Sequence, residues 1–159
     1  MTGENLAQVY EPASLGQQAL EKFSLLLEGL DFHEEMEILG IGRMQFMRRR
    51  QMTVELRGLY MGLWRLALGS SFPQDADTIF ALYLQRYALT HPDRVSAKVL
   101  ERAQEYWSML QASGLADFSH VARHICAFSS LEEKDSRAMT LRLVLHFRAV
   151  YKMIFDRLI

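Results

Sequence analysis

RMQFMRRRQMTVELRGLYMGLWRLAL, residues 43–68, is the stretch on which the fold turns. Advancing about 100° per residue, Met52, Leu56, Leu59, Tyr60, Leu63 and Ala67 gather on one side, as in a helix that buries that side in a core. The opposite side is not simply polar. Arg43, Arg50, Arg57 and Arg65 fall there together with Phe46, Met47, Val54, Met61 and Trp64. Gly58 and Gly62 sit on the flank between the two faces. At that small-xxx-small spacing another helix can approach the backbone closely, within the chain or from a second copy.

Helical signals continue on both sides of this segment. Upstream, Gly40 and Gly42 flank Ile41, and two glycines so close predict a break. Before it, Asp31 with Glu34 reads as the start of a short helix, and Ser14 with Gln17 as a capping box opening a helix that runs to about Glu28. Residues 1–13, ending at Pro12, read as a loose arm. Downstream, Gly69-Ser70-Ser71-Phe72-Pro73 is a turn, after which Asp75 or Asp77 caps a helix carrying Ile79, Phe80, Tyr83, Leu84 and Tyr87. His91-Pro92 ends it and opens a helix marked by Val99, Ala103, Tyr106 and Leu110, which Ser113-Gly114 stops. Asp117 caps a short helix to about Phe128, and Ser130 with Glu133 signals a final helix reaching Ile159. In that last helix Met139, Leu143, Val144, Phe147, Val150, Tyr151, Ile154, Phe155 and Leu158 cover an arc of about 160°. Such an arc fits a helix touched by several others, or one that gives part of its surface to a dimer. The expectation is an all-α protein, a single-domain bundle of five to six helices over residues 14–159, with a long central C-terminal helix.

Composition agrees with a folded domain: 159 residues, half of them apolar and 23% charged. A chain of this length buries about 70% of its unfolded surface, so no metal or disulfide is needed for stability. The lone cysteine, Cys126, has no partner for an internal disulfide, and the first residues lack the basic and apolar regions of a signal peptide. No apolar run is long enough for a bilayer. These features point to the cytoplasm, without a membrane partner.

Net charge is only -1, but it is unevenly placed. Residues 1–39 hold eight acidic groups against Lys22, and residues 40–65 hold six arginines against Glu55. Arginine interleaved with aromatic and methionine side chains suits an interaction surface: guanidinium makes planar forked contacts, aromatics give rigid apolar area, and methionine adapts its shape. Arg43, Phe46, Arg50, Arg57, Met61 and Trp64 are therefore the candidate partner-binding residues, with Met61 and Trp64 as apolar anchors. The competing structural account has the acidic first helix and Glu34 to Glu37 folding back on these arginines while other helices cover Met61 and Trp64.

Two further chemistries have weaker support. Arg48-Arg49-Arg50 could neutralise phosphates, which makes the segment from Arg43 to Arg57 a nucleic-acid candidate, but three successive helical residues point three ways and the chain lacks an overall basic balance. Asp117, His120 and His124 share one helical face, and histidines four apart can ligate one metal ion. A third strong ligand would have to come from elsewhere, and Asp117 has a simpler role as a cap. The Glu-x-x-His pairs of di-iron bundles are absent. So are phosphate loops, serine elbows and paired CxxC motifs. The reading is a non-enzymatic cytoplasmic interaction or adaptor protein without a cofactor, binding an acidic, amphipathic protein partner or a second copy of itself. A metal-dependent enzyme at His120/His124 and a nucleic-acid regulator are the alternatives.

Overall fold

A computed structural model describes the backbone of residues 3–114, 117–128 and 133–159, and the side chains of 15–114, 117–128 and 135–159. Among the described residues there are seven helices and no strand: α1 (Gly3–Glu28), α2 (His33–Ile38), α3 (Phe46–Ser71), α4 (Ala76–Thr90), α5 (Arg94–Ser113), α6 (Ser119–Cys126) and α7 (Glu133–Asp156). The all-α bundle is as expected, with slightly more helices than the five to six predicted. The signal at Ser130 lies outside the described residues.

Most helix ends follow the local chemistry. Gly40 adopts a positive φ of 68° in the turn after α2, and the Gly42 N–H donates to Gln45 Oε1 at 3.1 Å, closing the approach to α3. Asp93 caps α5 by accepting from the Ser96 N–H at 2.8 Å, so the helix begins two residues beyond Pro92. Gly114 ends it at a φ of 85°. One boundary differs clearly. α1 starts at Gly3, not at Ser14, so residues 3–13 are helical and the Ser14/Gln17 pair lies inside the helix. Residues such as Leu6, Ala7 and Gln8 favour helix, and Pro12 removes one backbone hydrogen bond without ending the run.

α3 lies at the centre, touched by α1, α4, α5 and α7. α7, the long C-terminal helix, packs on α2, α3 and α6 and buries Leu143, Val144, Phe147, Val150 and Ile154, with Leu158 buried just beyond its end. Trp64 of α3 stacks on Phe23 of α1 at 4.6 Å and meets the edge of Tyr83 of α4 at 5.0 Å. The side of α3 opposite its first-read core face is therefore also covered along its C-terminal half.

The closest helix contact is between α3 and α5, at the two glycines. A Cβ on Gly58 would stand 2.6 Å from Arg102 Cβ and 3.0 Å from the Ala103 nitrogen; one on Gly62 would stand 3.2 Å from the Trp107 nitrogen. The small-xxx-small spacing thus serves a contact within the chain. Because Gly58 faces residues 102–103 and Gly62 faces 106–107, the two helices run parallel. Their N-terminal halves lie at the same end of the bundle. No described helix is long and apolar enough to cross a membrane.

Candidate functional site

At that end the molecule has a groove of about 1000 Å³. One wall is α3, with Phe46, Arg49, Arg50, Val54 and Arg57; the other is α5, with Val95, Lys98, Val99 and Arg102. Tyr87 and His91 enter from the end of α4, Glu28 from the end of α1, and Phe128 follows α6. Every α3 residue lining the groove precedes Gly58, and every α5 residue precedes Ala103, so the groove occupies the space on the N-terminal side of the glycine contact.

Its charge is unbalanced. Glu55 is almost fully buried, and both its oxygens are engaged: Oε1 accepts from Arg102 Nε at 2.8 Å and Oε2 from the Tyr106 hydroxyl at 2.6 Å. Burial disfavours the charged Arg102, but Glu55 and then Glu105 more than offset this and hold its pKa above the ordinary arginine value. Burial and the hydrogen bond to Glu55 push the Tyr106 phenol upward. This trio pins α3 to α5. Arg49 donates to the Ile41 carbonyl at 3.3 Å. Arg50, Arg57 and Lys98 form no ion pair among the described residues, and Glu28 is the single lining carboxylate apart from Glu55. Nor does any ion pair among the described residues join positions 15–39 to the arginines of 43–57.

Apolar surface accompanies these cations. Phe46 is 65% exposed, Val95 62% and Phe128 42% around the groove, and Met47 next to Phe46 is 77% exposed. Val54, Val99 and Tyr87 lie deeper, and His91 stacks on Tyr87 at 4.3 Å. A smaller cavity of about 270 Å³ adjoins, sharing Glu28, Arg57, Tyr87 and His91 with the groove and adding Arg86, Ser24 and Thr90.

The residues singled out from sequence divide into three groups. Phe46, Arg50 and Arg57 come together in the groove. Arg43 is exposed in the turn before α3 and is not part of its lining. Met61 and Trp64 are corrected: at 0% and 1% exposure they are core residues and cannot serve as surface anchors. Trp64 packs against α1 and α4, whose positions no local pattern in residues 43–68 reveals.

The metal candidates also take ordinary roles. Asp117 accepts from the Ser119 N–H at 2.9 Å, which lowers its pKa and opens α6. His124 packs edge-on to Tyr106 and Phe128, and His120 is exposed. No group of three or more His, Cys, Asp or Glu side chains among the described residues is arranged to hold a metal ion.

A second buried carboxylate was hidden in the sequence. Glu35 of α2 accepts from the Tyr60 hydroxyl and lies 2.7 Å from His146 Nε2, while Glu34 lies 3.5 Å from His146 Nδ1. Burial pushes the Glu35 pKa up, but the hydrogen bonds from His146 and Tyr60 outweigh it and the net direction is down. The hydrogen bond to Glu35 holds His146 above its ordinary value against the opposing effect of burial. The acidic start of α2 reads as a dipole effect, but spacing carries the missed signal. Glu35 falls within Phe32, Met36 and Leu39, and Glu55 within Met52, Leu56 and Leu59, each at the i+3 place of an i, i+4, i+7 apolar stripe. A carboxylate at such a place is turned into the core and must find donors there.

No family profile, curated protein or solved structure matches the chain.

Proposed function

We propose that this protein is a non-enzymatic cytoplasmic adaptor that receives a protein partner in the groove between α3 and α5. The observation that carries the reading is that Arg50, Arg57 and Lys98 form no ion pair among the described residues and stand around apolar walls rimmed by Phe46, Val95 and Phe128. Exposed aromatic and aliphatic side chains beside unpaired guanidinium groups are costly to leave in water and favourable to cover. A nucleic-acid backbone would use the cations but not the apolar lining between them. Catalysis finds no support in Glu55, whose two oxygens accept from Arg102 and Tyr106, or in Glu35, whose Oε1 accepts from Tyr60 and faces His146 in the interior. We take the partner to be a different protein, since Leu143, Val144, Phe147, Val150 and Ile154 of the α7 arc that suggested a dimer are buried inside the bundle.

The test is affinity capture with the wild type, the double variant Arg50→Glu/Arg57→Glu and, separately, Phe46→Asp. Lys152→Glu, on the exposed side of α7, is the control. The expected result is a protein held by wild type and control but lost from both groove variants. Equal capture by all four would reject the groove as the docking surface.

A further inference from the structure

Resting on the reading that this groove receives a protein, we propose that its occupant is a single amphipathic α-helix of about three turns, carrying acidic side chains on both flanks of its apolar stripe. On the α3 side those acids are spaced seven residues apart.

Shape is the first argument. The walls are two parallel helices in contact at Gly58, and the α3 lining runs from residue 46 to residue 57. At 1.5 Å per residue this is about 16 Å of wall, the length of about three helical turns. A third helix laid in the seam between two others packs side chains into grooves on both. A peptide that docks by strand addition would need a sheet edge, and the described residues contain no strand. A helix satisfies its own backbone and needs only side-chain contacts.

Charge placement is the second. Arg50 and Arg57 are both on α3, seven residues or about 10.5 Å apart along its axis, which matches carboxylates at i and i+7 on a helix lying alongside. Lys98 stands on the opposite wall and calls for an acid on the other flank. Cations distributed along and across the groove do not suit a fatty acid or phospholipid, which carries its charge at one end. Glu28 closes the Arg57 end and repels an acid placed beyond it, so it fixes the register.

The experiment selects binders for the full-length protein from a displayed random 16-residue peptide library. Synthetic versions are then measured by fluorescence anisotropy and circular dichroism. The expected peptides become helical on binding, carry Asp or Glu at i and i+7 beside apolar residues at i+3 and i+4 spacing, and bind at least tenfold more weakly to Arg50→Glu/Arg57→Glu. Replacing the i and i+7 acids by lysine should restore binding to that double variant. Lys152→Glu should bind as wild type does. Peptides that need Arg50, Arg57 and Phe46 but stay non-helical, or lack paired acids, would overturn the helix proposal and leave protein docking standing. A third outcome overturns both: no selected peptide is sensitive to the groove variants, while dodecanoate or vesicles containing phosphatidylserine bind in a way that needs Arg50 and Arg57.

Discussion

Gly58 has room for hydrogen and nothing larger. In a free helix, alanine would be better than glycine by about 1 kcal/mol. Here the added methyl meets the Arg102 Cβ and the Ala103 backbone, which cannot rotate away, so overpacking at about 1–3 kcal/mol wins. Gly58→Ala should therefore lower stability in urea denaturation, and Gly62→Ala, whose methyl meets the Trp107 nitrogen at 3.2 Å, should do so by less. A gain for Gly58→Ala would mean that the helices are not in contact there. The His146–Glu35 pair gives a pH test. A raised histidine pKa contributes stability that is full below the ordinary value of 6.5 and is lost as pH rises through the raised one. A lowered glutamate pKa contributes stability that is full above 4.5 and is lost as pH falls through the lowered one. Stability from this pair should thus be greatest between about 4.5 and 6.5, and His146→Gln should flatten the decline above 6.5, as read from denaturation midpoints across pH. An identical slope in that variant would remove His146 as its source.

Helix ends were legible where a side chain or glycine acts on its own backbone. Gly40, Gly114 and Asp117 work through neighbours within three residues, and their roles could be read without knowing the fold. Asp93 belongs with them: its carboxylate accepts from both the Ser96 N–H and its hydroxyl, which lowers its pKa. Asp93→Ala should weaken the start of α5, where Val95 and Lys98 enter the groove, measurable as faster amide exchange in that turn. Faces were less legible. The α3 pattern separates one core side correctly but cannot say that Met61 is buried or that α1 and α4 cover Trp64, because burial of a helix on several sides erases the contrast on which the reading depends. For the site, residues 43–68 supplied Phe46, Arg50 and Arg57. Val95, Lys98, Tyr87 and His91 belong to segments that meet α3 only in the folded chain. Glu35 escaped notice for a related reason: its partners Tyr60 and His146 are distant in sequence.

Across the whole molecule the buried apolar residues form one connected core, drawing on helices from α1 to α7. Unfolding should be one cooperative transition, with far-ultraviolet circular dichroism and tryptophan fluorescence changing together. Separate midpoints would show that α6 and α7 fold apart from the rest. Charge is segregated on the same scale. Among the described residues no ion pair joins positions 15–39 to Arg50 or Arg57, so partner binding should weaken with added salt as the screening length falls to about 8 Å at physiological ionic strength. Salt-independent binding would assign the affinity to apolar contact alone. Finally, α3 and α5 touch at Gly58 and enclose a space on one side of it, as the arms of a pair of tongs do on one side of the pivot. The bulk at the pivot sets the gap between the jaws. A side chain at position 58 would change how wide a guest the jaws grip, altering selectivity from a residue that the guest never touches.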